Sequence, residues 1–169
     1  MTNPISGASW TNLNLGNGND EVRISKADGA DGLKGLYEVS INGKVQLMTK
    51  DQLEHTHFNL QGGHDTLVVA EDVDANIQAS GGDGNDVMLG GAGKDTLDGG
   101  KGKDIVMGRG GDDWLDGGKD NDRDMLEGGA GSDAVIRRQE DRVIGGDRRD
   151  VTLDGDAMDR RDEVLNNLR

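Results

Sequence analysis

Cysteine is absent from this 169-residue chain, proline occurs once, and two tryptophans, one tyrosine and one phenylalanine are its only aromatic residues. Without cysteine there is neither a disulfide framework nor a zinc–thiolate site. So few aromatic residues cannot build a conventional aromatic core. No run of about 18 apolar residues occurs, so no membrane span is expected. A basic stretch followed by an apolar run is also missing from the opening residues, so no Sec-type signal peptide is expected. Positive charge is scarce: 19 basic residues face 33 acidic ones, for a net charge of −14. That balance argues against nucleic acid as a partner. No HExxH, GxSxG or Cys–His pair is present, so the chain is expected not to be an enzyme.

Glycine and aspartate are in excess. Glycine makes up 29 of 169 residues, about 17% against an average near 7%. Aspartate outnumbers glutamate by 26 to 7. Both carry the same charge, so solubility does not explain the bias. A short, stiff carboxylate beside glycine suits tight, ligand-bearing turns. High glycine with high net charge marks disorder when aperiodic and a repeat protein when periodic.

The glycines are periodic. From Gly81 to Ile136 the chain reads GGDGNDVML, GGAGKDTLD, GGKGKDIVM, GRGGDDWLD, GGKDNDRDMLE and GGAGSDAVI, five units of nine residues and one of eleven. The sixth position holds Asp86, Asp95, Asp104, Asp113, Asp124 or Asp122, and Asp133. The eighth holds Met88, Leu97, Val106, Leu115, Leu126 and Val135. Each unit reads as a six-residue glycine turn and a three-residue strand with its eighth residue inward. One unit cannot bury one apolar side chain, but stacked units can. Two nonapeptides make a coil of 18 residues, and successive coils pair as parallel strands about 4.8 Å apart. Alternate repeats then share an edge. One edge stacks Asp86, Asp104 and Asp122 or Asp124; the other stacks Asp95, Asp113 and Asp133.

Carboxylates about 5 Å apart repel by about 1 kcal/mol in water and several-fold more at a dielectric near 20. A hard divalent cation between neighbouring turns reverses the sign. Calcium accepts six to eight oxygens in flexible geometry, whereas magnesium demands a tighter octahedron.

These units resemble the RTX (haemolysin-type) calcium-binding nonapeptide, GGxGxDxUx, over residues 81–136. The resemblance implies an all-β fold, a right-handed parallel β-roll with calcium ions between turns. It makes the sixth-position aspartates side-chain ligands, together with Asp65 upstream. It adds turn carbonyls, which here include Gly82, Gly84, Gly91, Gly93, Gly100, Gly102, Gly111, Gly129 and Gly131. Two units depart from the pattern. Unit four has Arg109 in place of the second glycine. Unit five carries two extra residues and loses its fourth-position glycine. Its run Asp120, Asp122, Asp124 is similar to the start of an EF-hand, but Met125 and Gly131 stand where that loop needs Gly and Glu. GGAGKDT is similar to a phosphate loop, but Asp95 and Met88 stand where Ser or Thr and the first Gly belong.

The flanks read as caps, dividing the chain into 1–80, 81–136 and 137–169. LGNGNDEVRI (15–24) and LQGGHDTLVV (60–69) keep Asp20 or Asp65 at position six and Val22 or Leu67 at eight. Between them Asn42-Gly43 marks a hairpin. A three-residue loop pairing Val39 with Val45 and Tyr37 with Leu47 gives one apolar face and is preferred to a two-residue loop. Thr49 and Gln52 form a capping box for one helical turn, and a strand, HFNL, follows. His55, His57 and His64 could form a metal cluster, but ordinary strand and turn positions are the better reading. Trp10 reads as a packing residue, and Trp114 at position seven points outward. GGDRRDVTL (145–153) is a damaged repeat with Asp150 at position six. From Asp156 a short helix is expected, with Met158, Leu165 and Leu168 on one side. The tail reads as a polar cap. The resemblance also implies a C-terminal type I export signal, which this Arg-rich acidic tail matches poorly.

Residues 81–136 hold 13 acids against 6 bases, so this stretch is expected to be disordered without metal. Two stacks of three turns imply about four or more calcium ions. At tenfold excess over the dissociation constant each adds about 1.4 kcal/mol, and four add about 5–6, comparable with the stability of a small domain. The expectation is a secreted bacterial, toxin-associated, monomeric calcium-binding module without catalysis. The alternative is a secreted effector or adhesin-like scaffold that binds a protein partner. Secretion machinery is a further expected contact, and the polar opening MTNPISGASWTNLNLGNGN also suits a type III signal.

Overall fold

The computed structural model describes residues 11–27, 33–138, 140–145 and 150–155. Its strands are β1 (Thr11–Asn14), β2 (Glu21–Lys26), β3 (Leu36–Ile41), β4 (Lys44–Thr49), β5 (Thr56–Asn59), β6 (Thr66–Val69), β7 (Gln78–Asp83), β8 (Val87–Leu89), β9 (Thr96–Lys101), β10 (Ile105–Gly110), β11 (Trp114–Asp116), β12 (Met125–Ala130), β13 (Ala134–Arg137), β14 (Arg142–Ile144) and β15 (Val151–Asp154). One short helix, α1 (Lys50–Glu54), follows β4.

The strands form two sheets. Seven lie in the order β1-β5-β7-β9-β11-β13-β15, and eight in the order β14-β12-β10-β8-β6-β2-β3-β4. Alternate units therefore pair with each other, because the chain crosses from one sheet to the other at every glycine turn. All pairings are parallel except β2–β3 and β3–β4. The result is an all-β parallel solenoid with almost no helix among the described residues.

Register follows the repeat phase. Leu67, Met88, Val106 and Leu126 are successive partners in one sheet. Phe58, Ala79, Leu97, Leu115 and Val135 are successive partners in the other. Both rows point inward and are buried. Each coil of the repeats thus contributes one apolar side chain from each sheet to a narrow column, while the N-terminal coils widen the core with Ile24, Leu60, Val69, Val73 and Ile77. Pairing also reaches into the glycines, with Gly82 opposite Gly100 and Arg109 opposite Gly129. The turns are therefore extensions of the strands rather than separate loops.

The degenerate segments join the same stack. Val22 pairs with Leu67 across β2 and β6, and β15 pairs with β13. The hairpin differs from the expectation. Its loop is the two-residue Asn42-Gly43 turn, which pairs Ile41 with Lys44, Val39 with Gln46 and Tyr37 with Met48. Both loop residues are left-handed, with φ of 50° and 76°, the twist that a two-residue hairpin needs. The preferred apolar pairing is lost, and Val45 and Leu47 remain 62% and 46% exposed on the edge strand. The Thr49–Gln52 capping box is present, and α1 buries Leu53. Tyr37 Oη donates to Asp74 Oδ1 at 2.8 Å, tying the hairpin to the connection between β6 and β7. The C-terminal helix expected from Asp156, and Trp10, lie outside the described residues. Among the described residues no helix is long and apolar enough to cross a membrane.

With one apolar side chain from each sheet per coil, the core of the repeats has few neighbours able to fill a gap. Leu97→Ala should cost about 2–5 kcal/mol in calcium, while Leu47→Ala on the exposed edge should cost under about 0.5 kcal/mol. Urea unfolding of the two variants checks this; equal costs would contradict the core assignment.

Candidate metal centre

The sixth-position aspartates form two columns. On the first edge the backbone N–H of each aspartate donates to Oδ1 of the aspartate one coil later. Asp20 donates to Asp65 at 2.7 Å, Asp65 to Asp86 at 2.7 Å, Asp86 to Asp104 at 2.8 Å and Asp104 to Asp124 at 2.8 Å. Asp124 then donates to Asp141 at 3.3 Å. On the second edge Ile77 donates to Asp95, Asp95 to Asp113 and Asp113 to Asp133, all within 2.9 Å. Asp133 donates to Asp150 at 3.2 Å. Asp133 is therefore not the end of its stack.

The eleven-residue unit resolves the choice between Asp122 and Asp124. Asp124 stands in the column, whereas Asp122 is exposed and donates its N–H to Asp120 Oδ1 at 2.9 Å. The two extra residues bulge out of the turn, so phase is kept by counting back from the strand. Asp120 occupies the fourth position, and its Oδ2 accepts from Gly102 N–H at 2.6 Å. Asp141 was not recognised from sequence, because its turn has no glycine pattern. The available signal was its 17-residue spacing from Asp124 and Val143 two residues on.

One carboxylate oxygen of each column aspartate after Asp20 is spent on this ladder. The other, Oδ2, is buried and has no hydrogen-bond partner in Asp20, Asp65, Asp86, Asp104, Asp113 and Asp124. The first glycine of each unit makes the space for it: a Cβ at Gly99 would run into Asp104 Oδ2 and Gly117 O. The turn carbonyls form parallel rails. Gly82 O and Gly84 O lie against Gly100 and Gly102, and Gly93 O and Gly111 O against Gly111 and Gly131. Gly129 lies against Arg109 O, and Gly91 against Val73 O. At Gly102, with φ of 114°, a side chain would meet both strain and the carbonyl above it.

Desolvation raises these carboxyls. Burial pushes Asp86 and Asp95 up to about 6 and Asp104 and Asp113 up to about 7. The ladder N–H groups oppose the shift, and neighbouring carboxylates add to it for Asp86, Asp104 and Asp113. Asp124 is raised by burial, with Asp141 beside it contributing. A buried oxygen lacking a partner normally demands explanation. Such oxygens, which share their space with the carbonyls of Gly99, Gly117 and Gly128, fit a hard, oxygen-seeking cation, with calcium suited by its flexible geometry. Among the described residues no three His, Asp or Glu side chains form a metal cluster, so a cation here must draw on backbone carbonyls as well.

Several other residues are placed apart from the columns. His55 Nδ1 lies 2.7 Å from Asp51 O, His57 Nε2 lies 3.0 Å from Ser80 Oγ, and His64 Nδ1 accepts from Asn85 N–H at 2.9 Å. The three imidazoles do not meet. Trp114 points outward and is 39% exposed. Arg109 keeps the left-handed φ of the glycine it replaces, 73°. Its Nη1 donates to Val69 O at 2.7 Å and Gly90 O at 3.1 Å. Among the column aspartates Asp95 is an exception, because its Oδ2 accepts from Gly91 N–H at 2.8 Å.

Residues 80–114, 89–123 and 99–135 match the family described as RTX calcium-binding nonapeptide repeat (4 copies). The matched span is about a third of the chain. No curated protein and no solved structure matches significantly.

A carboxyl whose value is raised on folding holds its proton more tightly in the folded state. Its contribution favours folding at low pH and is lost as pH rises from 3.8 through about 7 for Asp104. In chelator, ordered β-structure should therefore increase as pH falls from about 8 to about 5. Far-UV circular dichroism checks the sign, and a loss of order over that range would contradict it.

Proposed function

We propose that this chain is a secreted, non-catalytic calcium-binding module whose roll folds when calcium enters the intervals between stacked turns. The observation that carries it is the row of buried, partnerless Oδ2 atoms along a column that is itself held by Oδ1. Calcium bound there supplies the positive charge and oxygen coordination that the column lacks. Asp86, Asp104 and Asp124 on one edge, and Asp113 and Asp133 on the other, act as side-chain ligands, with Asp65 extending the first edge. Asp95 also holds its second oxygen on Gly91 N–H, which leaves it one lone pair on that oxygen for a cation. Glycine carbonyls at the second and fourth turn positions complete each shell. Asp122, exposed and off the column, is not among the ligands.

The RTX repeats in residues 80–135 support this reading. So does the energetic need. Neighbouring buried carboxylates repel by several kcal/mol at an effective dielectric near 20, and the narrow core offers little to offset that. Four or more ions, a right-handed winding, caps at 1–80 and 137–169, and a monomeric state complete the proposal. A sub-micromolar calcium level leaves the roll unfolded, and a millimolar extracellular level folds it. Bacterial export through secretion machinery then couples folding to arrival outside the cell. A second reading, a calcium-rigidified scaffold for a protein partner, is favoured by the outward Trp114.

Calcium titration from chelator to about 10 mM, followed by circular dichroism, should show a cooperative gain of β-structure. Asp104→Asn should raise the calcium midpoint at least several-fold, and Asp122→Asn should leave it within about twofold of wild type. An unchanged spectrum, or equal shifts in the two variants, overturns the proposal.

A further inference from the structure

We propose a further calcium site outside the matched repeats, in the interval between turns 15–20 and 60–65, with Asp20 and Asp65 as its carboxylates. It rests on the reading that column carboxylates bind calcium, and extends it to turns lacking the GGxGxD pattern. Turn 60–65 has left-handed backbone at its second and fourth positions, with φ of 73° at Gln61 and 138° at Gly63. Unit four has the same arrangement, 73° at Arg109 and 116° at Gly111. A glutamine held in that strained region shows that stacking, rather than residue preference, sets the turn shape.

Turn 15–20 repeats three further features of the matched units. Gly16 at the second position has φ of 124°. Asn19 at the fifth accepts His64 N–H through Oδ1 at 2.8 Å, as Asn85 accepts Lys103 N–H at 2.9 Å. Gly18 O lies against Gly63 as Gly84 O lies against Gly102. Asp65 is 1% exposed and Asp20 9% exposed, and Oδ2 of each is without a partner. That state is not an inevitable product of the column, since Asp95 satisfies both of its oxygens.

The column ends at Asp20 because the hairpin closes it. Asn42 Nδ2 donates to Asp20 Oδ1 at 2.5 Å, taking the place of the coil N–H that serves each later aspartate. Asn42 Oδ1 also accepts from Glu21 N–H at 2.8 Å. The site therefore connects the hairpin turn to the first edge, and calcium bound there orders the N-terminal coils together with the repeats.

The test counts ions on the full chain by native mass spectrometry in saturating calcium, reading only the charge states of the folded protein so that unfolded material does not enter the count. Asp20→Asn keeps Oδ1 for Asn42 and removes the charge. It should hold one calcium ion fewer than wild type, and Asp104→Asn should also hold fewer. If Asp20→Asn keeps the full count while Asp104→Asn loses ions, the further site is overturned and the repeat sites stand. If neither loses ions, the carboxylate ladder as a whole is not the calcium site, and both readings fall.

Discussion

The structure depends on the bond between a backbone N–H and Oδ1 of the aspartate one coil later. It fixes the spacing of successive turns and brings a carboxylate into a buried position at every coil. Burying a charge is unfavourable unless it is fully partnered. Here one oxygen is partnered and the other, in most of the column, is not. The fold thus concentrates its least favourable electrostatics where the turns are most tightly stacked. On the proposed reading, folding and cation binding become a single process, because the same oxygens that destabilise the column would attract the ion.

Glycine and the apolar rows serve this arrangement in different ways. The first glycine of a unit leaves room for Oδ2, and the second and fourth allow carbonyls of neighbouring coils to approach closely. The eighth residue supplies hydrophobic burial, but only one side chain per half-coil. In a larger core, burial would outweigh a few charged groups. In the repeats each half-coil buries little, so the buried carboxylates weigh more heavily in the stability of that stretch.

The two edges are not equivalent. The first continues upward through Asp65 and Asp20 until Asn42 of the hairpin closes it. The second begins at Ile77, which has no carboxylate, and its first aspartate, Asp95, is saturated by Gly91 N–H. The Arg109 guanidinium reaches across two coils on that edge to Val69 O and Gly90 O. There a fixed positive side chain bonds carbonyls of the kind that elsewhere form the rails. The nine-residue pattern treats the edges as identical; the difference arises from the turns stacked above and below them.

The nonapeptide phase alone determined the parallel coils, the inward row from Met88 to Val135, and the alternation of aspartates between two edges. Periodicity encodes these because each position meets its own equivalent one coil away. Asp20 and Asp65 were legible for the same reason, through their spacing to an apolar residue two places on, and Asp150 through the glycine pair five and four places before it. Tertiary structure alone decided the remainder. It selected Asp124 over Asp122, since an insertion bulges toward solvent while the strand holds its register. It recruited Asp141, whose turn has no glycine signature, through the coil beneath it. It set a two-residue hairpin loop, because Asn42 is bonded to Asp20 and Glu21 across the sheet, contacts that no local pattern records. It also left Oδ2 without a partner in most column aspartates and satisfied in Asp95, a distinction that depends on which backbone N–H groups the neighbouring coils bring within reach.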